Sequence, residues 1–181
     1  MIRILLGIAV LLQMSNVVLA QGHAPYAEMR DRAIKALSEQ QIADLKAGRG
    51  MGLALPAELN GYPGPMHVLE FADALALTGE QRQRTNELYR SMKNEAVPLG
   101  ERLIENETVL ERLFASRAIT PANLNTTTQD IARLQGQLRE THLKYHLAMM
   151  DLLSPQQILR YRQLRGYDQS SPSHQPHKRH H

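Results

Sequence analysis

The chain has no cysteine, no tryptophan and only two phenylalanines. Without a thiol it forms no disulfide and no thiolate metal centre, and it has no thiol nucleophile. Without large rings the core must be built of Leu, Ile, Val, Met and Ala, which suits helix-on-helix packing better than a β-sandwich. Excess charge of one sign is lacking too. The net charge of +3 comes from Arg3 near the start and Lys178 and Arg179 near the end; 18 of the 21 basic side chains remain between them, against 18 acidic ones. A balanced body is no footprint for nucleic acid, and it gives no reason for a stable helix on a membrane surface. Nor is there an apolar run long enough to span a bilayer, because Ile4–Leu12 is soon interrupted by Gln13, Ser15 and Asn16.

That short run reads instead as an export signal over residues 1–20. Arg3 supplies the positive start, and Val18-Leu19-Ala20 is a small-residue cleavage site after Ala20. No cysteine follows it, so a lipid anchor is excluded. Residues 21–60 read as an N-terminal helical segment with a Gly/Pro loop, and 61–168 as the main helical domain. Residues 169–181, with four of the eight histidines, read as a disordered tail.

What is present is a short phrase used three times: Leu37-Ser38-Glu39-Gln40-Gln41, Leu77-Thr78-Gly79-Glu80-Gln81 and Leu153-Ser154-Pro155-Gln156-Gln157. Each is a helix start, in which the hydroxyl accepts from the N3 backbone N–H and the Gln reaches back to the N-cap N–H. The preceding Leu can staple onto Ile42 in the first copy and Ile158 in the third; Arg82 stands there in the second.

Apolar spacing predicts helix from Tyr26 to Lys46, with Ser38 able to divide it in two. Residues 48–65 hold five of the eleven glycines and three of the nine prolines and read as a loop. A short helix is expected over Met66–Leu75, and a long one from Thr78 to about Ser116, kinked at Pro98. Leu99, Leu103, Leu110, Leu113 and Phe114 form its apolar stripe, and Glu101, Glu105, Glu107 and Glu111 a solvated face. Pro121 opens the next helix, to Leu153, with a seam of Ile131, Leu138, Tyr145 and Leu152 plus Leu134 and Ala148. The preceding helix can pack against it antiparallel. A last helix spans Pro155–Arg165. The expected fold is therefore all-α: a kinked antiparallel helical hairpin with short flanking helices, which dimerises.

Chemistry concentrates on His142 and His146, four apart and so separated by roughly 40° on one helix face. They are either packed side chains or two ligands of one metal ion. Met149 and Met150 are one turn further on; their thioethers are possible soft ligands that would favour copper, but core packing is the simpler reading for both. His67 and Glu70 form a second pair, three apart. The stretch His142-Leu143-Lys144-Tyr145-His146 lacks the Glu that a zinc hydrolase places between its histidines, and no Gly-x-Ser-x-Gly elbow or paired-carboxylate signature occurs. Catalysis is not expected, and no cofactor is required; a bound metal would be zinc, copper or nickel.

The leader, the cysteine-free helical body and the repeated Leu-Ser/Thr-x-x-Gln phrases resemble the periplasmic Spy/CpxP superfamily. The likeness is strongest at Leu77–Gln81 and Leu153–Gln157. It extends to Gly61-Tyr62-Pro63-Gly64-Pro65 and to Tyr161-Arg162-Gln163-Leu164-Arg165-Gly166-Tyr167. The resemblance implies a helical hairpin that pairs as a homodimer in a Gram-negative periplasm and acts in envelope stress without catalysis. Its partners would be unfolded periplasmic proteins or a membrane-bound regulatory protein. In the heavy-metal-sensor branch, helix histidines, a Glu and sometimes a Met hold the metal; here His142, His146 and Met150 are similar in character, then His67 and Glu70. The alternatives are a sensor or metal buffer without chaperone activity, and a structural envelope protein.

Overall fold

The computed structural model describes residues 26–167. The export signal and the histidine-rich tail lie outside the described residues. Contacts divide the chain between Asp31 and Arg32. Of the first unit, a single 3-10 turn at Ala27–Met29 is described. The second unit holds every α-helix: α1 (Glu39–Lys46), α2 (Leu55–Glu58), α3 (Pro65–Glu70), α4 (Gly79–Ala115), α5 (Pro121–Leu152) and α6 (Pro155–Leu164). Among the described residues there is no strand, so the all-α expectation holds.

The three phrases start α1, α4 and α6, each with a complete capping box. A fourth box, Thr120 with Asn123, starts α5. It carries Asn at N3 and Ile119 in front, which is why it escapes the Leu-x-x-x-Gln pattern.

α4 and α5 form the hairpin and make the most extensive helix–helix contact. With 37 residues, α4 is roughly 55 Å long at 1.5 Å per residue. It runs on through Pro98. Asn94 and Pro98 are both exposed, so water can satisfy the carbonyl that the proline leaves without a donor. The seam of α5 behaves as expected: Ile131, Leu134, Leu138 and Tyr145 are buried, and Ala148 and Leu152 are half-buried.

The core has two parts. In one, Leu45 of α1 packs with Ala96, Leu103, Ile131, Leu134 and Leu138 of the hairpin. Here the backbones nearly touch: a Cβ on Gly100 would lie 2.5 Å from the Leu45 carbonyl oxygen, so any side chain there would push α1 off α4. In the other part, Val68, Ala72, Leu75 and Leu77 pack with Met149, Leu153 and Tyr161. The leucines of the second and third phrases thus sit in one core cluster.

Their glutamines meet as well. Gln81 Nε2 donates to Gln157 Oε1 and Gln157 Nε2 donates to Gln81 Oε1, both at 2.9 Å. The second N–H of each amide goes to a chain carbonyl, Gln81 to Leu152 at 3.0 Å and Gln157 to Leu75 at 3.3 Å. Each Oε1 also accepts the N–H of its own cap residue, Thr78 or Ser154. Every donor and acceptor of both amides is used, and the Leu152 carbonyl, orphaned at the end of α5, is satisfied. Gln41 of the first phrase closes its own cap with Ser38.

Three expectations are corrected. Residues 30–37 form turns and bends, and α-helix begins only at Glu39. Lys35 is drawn away by Glu111 of α4, which accepts from both its backbone N–H and its ammonium, so a tertiary bond overrides local propensity. The helix opened by Pro65 ends at Glu70, and residues 71–76 are turns that include Ala76 at φ 48°. The glutamate face of α4 is not uniformly solvated. Glu101 and Glu105 are exposed, but Glu107 is 8% exposed and Glu111 is half-buried against Lys35.

Two predictions follow from this packing. In urea denaturation, Gln81→Ala and Gln157→Ala are each expected to cost about 1–2 kcal/mol, since each leaves partly buried polar groups unpaired. The double variant is expected to cost clearly less than their sum, with a coupling of about 0.5–2 kcal/mol; additive losses would mean that the amides do not act together. Burial holds the Glu107 carboxyl above its ordinary 4.5. A raised folded-state value penalises the folded chain where the group is ionised, and the penalty fades as pH falls through that value. Glu107→Gln is therefore expected to raise the urea midpoint at pH 7, with the gain shrinking toward pH 4.5.

Candidate functional site

The Gly/Pro-rich stretch 48–65 lies over α5 and roofs a cavity of about 410 Å³. It is an ordered connection that contains α2. Its one acidic residue, Glu58, is 5% exposed and anchors it. Glu58 Oε1 accepts from the Tyr161 hydroxyl, from Arg165 Nε at 3.1 Å and from the Tyr167 hydroxyl at 3.1 Å. Arg165 Nε also donates to the Tyr167 hydroxyl at 3.0 Å. Burial, and then the neighbouring Glu58 carboxylate, hold the Tyr161 hydroxyl well above the usual phenol range. The loop is thus pinned to α6 and to the turn after it by one buried carboxylate.

His142 and His146 both project from α5 into this region, and both are buried. His146 Nδ1 lies 2.7 Å from the Tyr62 carbonyl oxygen, so Nδ1 is the donor to that carbonyl and Nε2 faces away from it. Its Nδ1 also lies 3.8 Å from Glu58 Oε2. Gly64 makes room for the ring: a Cβ there would come within 2.8 Å of His146 Cε1 and 3.0 Å of Nε2. His142 is 3% exposed, and its Nε2 has no hydrogen-bond partner. Burial, reinforced by nearby His146, lowers its pKa below the ordinary 6.5. It is therefore neutral at pH 7, the form that can donate a lone pair to a metal. Glu58 Oε2 is the other buried polar atom without a hydrogen bond among the described residues. Next to the pair, Tyr145 donates to Glu95 of α4 at 2.8 Å, and burial with this bond pushes its hydroxyl up to about 12. Lys144 pairs with the same Glu95.

Of the residues singled out in the sequence, His142, His146 and His67 line this one cavity. Glu70 is held by His67, with Oε2 2.9 Å from Nδ1, and is half exposed. Neither Glu70 nor Met150 is among the lining residues, and Met149 is fully buried in the core. Sequence reasoning missed Glu58 and its partners Tyr161, Arg165 and Tyr167, and also Met51, Met66 and Met92, three further residues of the cavity lining. Glu58 alone left a signal, as the one carboxylate in a Gly/Pro-rich stretch.

No family model matches the chain, and no curated protein or solved structure shows significant similarity to it. The site therefore has to be read from its own chemistry. No group of three His, Cys, Asp or Glu able to hold a metal ion occurs among the described residues. A zinc-type site closed by imidazoles and carboxylates is not assembled here. The cavity offers two imidazoles, a buried anchoring carboxylate and a largely apolar wall.

Proposed function

We propose that this is an exported, periplasmic protein of the Spy/CpxP type, which acts in envelope stress by binding and not by catalysis. The observation that carries the reading is the joining of Leu77–Gln81 and Leu153–Gln157. The two phrases on which the resemblance rests share one core cluster through their leucines and one hydrogen-bond network through their glutamines. A motif that only capped helices would not need to meet its own copy. No described helix is long and apolar enough to cross a membrane, in keeping with this reading.

Its clients are non-native protein segments. Val109, Phe114 and Leu124, near the α4–α5 connection, are 45%, 54% and 38% exposed. Apolar side chains gathered at one end of a hairpin suit transient contact with an unfolded chain. In the proposal the protein acts as a homodimer. Near-stoichiometric amounts are expected to suppress aggregation of a reduced client, and Phe114→Ser is expected to weaken suppression without lowering the urea midpoint. No suppression at several-fold excess removes the chaperone reading.

A second reading is a metal sensor or buffer, and the buried, unpartnered Nε2 of His142 beside His146 favours it. Metal binding would shift a conformation that a membrane-bound partner reads. Calorimetric titration with zinc, copper and nickel is expected to show one site tighter than about 10 µM, or about −7 kcal/mol, that His142→Gln abolishes. Weaker binding, or binding indifferent to that change, leaves the histidines structural.

A further inference from the structure

We infer that the cavity under the Gly/Pro loop is a copper(I) site built from imidazole and thioether ligands, His142 and His146 with Met51, Met66 and Met92. The inference rests on the metal-binding reading and specifies its ion and its ligands. Three observations lead to it. First, the nitrogen ligands are prepared. His142 Nε2 is buried without a hydrogen-bond partner, and the Tyr62 carbonyl holds the His146 ring by its Nδ1 at 2.7 Å, which leaves Nε2 as the nitrogen for a ligand. Second, the described residues assemble no trio of His, Cys, Asp or Glu, so zinc or nickel would lack the further hard or borderline ligands they need. Of the carboxylates at the cavity, Asp44 is engaged with Arg49 at 2.7 Å, and Glu58 is anchored through Oε1 by Arg165, Tyr161 and Tyr167, with its Oε2 on the Nδ1 side of His146 at 3.8 Å. Third, three of the eight methionines converge on the same cavity. Met51 comes from the loop, Met66 from α3 and Met92 from α4, across from the α5 histidines.

Thioethers are soft ligands that select copper(I), and imidazole suits copper as well. A singly charged ion also loses less hydration on entering a mostly apolar cavity than a divalent one. Backbone geometry at Met51 points the same way. It lies between Gly50 and Gly52 yet itself takes the left-handed conformation, at φ 44°. Glycine would hold that turn without strain, whereas a side chain there is strained. The strain is accounted for if the side chain serves the cavity. Copper(I) bound here would tie the loop to α3, α4 and α5 at once.

The test is anaerobic competition of the full-length mature protein with the chromophoric chelator bicinchoninate for copper(I). Wild type is expected to take one copper per chain that is lost with His142→Gln. Met51→Leu/Met66→Leu/Met92→Leu is expected to bind it at least about 10-fold more weakly, about 1.4 kcal/mol. Leucine conserves volume, so the helical spectrum should be unchanged; if the triple variant misfolds, Met51→Leu/Met66→Leu, at two exposed positions, takes its place. Replacing the four tail histidines by Asn is expected to leave this copper in place. X-ray absorption of the loaded protein should show sulfur neighbours. A nitrogen- and oxygen-only shell, equal affinity in the methionine variants, or no copper bound overturns the inference. Zinc or nickel binding that His142→Gln abolishes and the methionine variants leave intact would keep the metal reading while sinking the thioethers.

Discussion

The reciprocal amide pair of Gln81 and Gln157 is the constraint on which the rest of the structure depends. A capping box by itself is a local device that starts a helix and leaves its direction open. Two boxes whose glutamines also bind one another bring two helix starts to one place. Here they bring the start of α4 to the start of α6, at the end of α5. Because α4 and α5 are long, fixing one end of the hairpin sets the register of their seam over many turns. The leucines of the same phrases fill the core beneath the amides, so polar and apolar specifications agree. A partly buried polar network that is fully satisfied confers this kind of uniqueness; a half-satisfied one would destabilise the end it organises.

The second organising contact is Glu58. A stretch rich in glycine and proline has no helix or strand to hold it, and its ordering opposes chain entropy. One buried carboxylate with three donors from α6 and the following turn gives that stretch a defined position. Leaving any of these partners unpaired would be costly, so the loop is held in place rather than merely attracted. Its position makes the site: the loop supplies the Tyr62 carbonyl that holds the His146 ring, the Gly64 backbone that lets this imidazole approach and the Met51 side chain. The client-binding and metal-binding readings use different parts of one scaffold, the hairpin's far end and the roofed cavity, so either can stand without the other.

Much of the fold was legible along the chain, because its signals are local and periodic. The starts of α1, α4 and α6 could be named from a hydroxyl and a glutamine three residues on, and the seam of α5 from its seven-residue recurrence. Where a distant partner intervened, the reading failed. Residues 30–37 have helical spacing but give up helix as Lys35 binds Glu111, 76 residues away. Glu107 sits in what reads as a charged stripe and is buried against the hairpin. The site was half legible: spacing on one helix put His142 and His146 together, whereas His67 and Glu70 were paired correctly but only His67 faces the cavity.

Taken alone, the sequence determined the helical class, the helix starts, the absence of covalent cross-links and the histidine face of α5, since each depends on residues within a few positions of one another. Only the tertiary structure decided that two capping glutamines bind each other, that Glu58 pins the loop, and that three methionines from three segments share a cavity with the imidazoles. Those contacts join residues far apart in the chain, and no periodicity encodes them. They exist because long helices fold back at one defined angle, and that angle is set by packing.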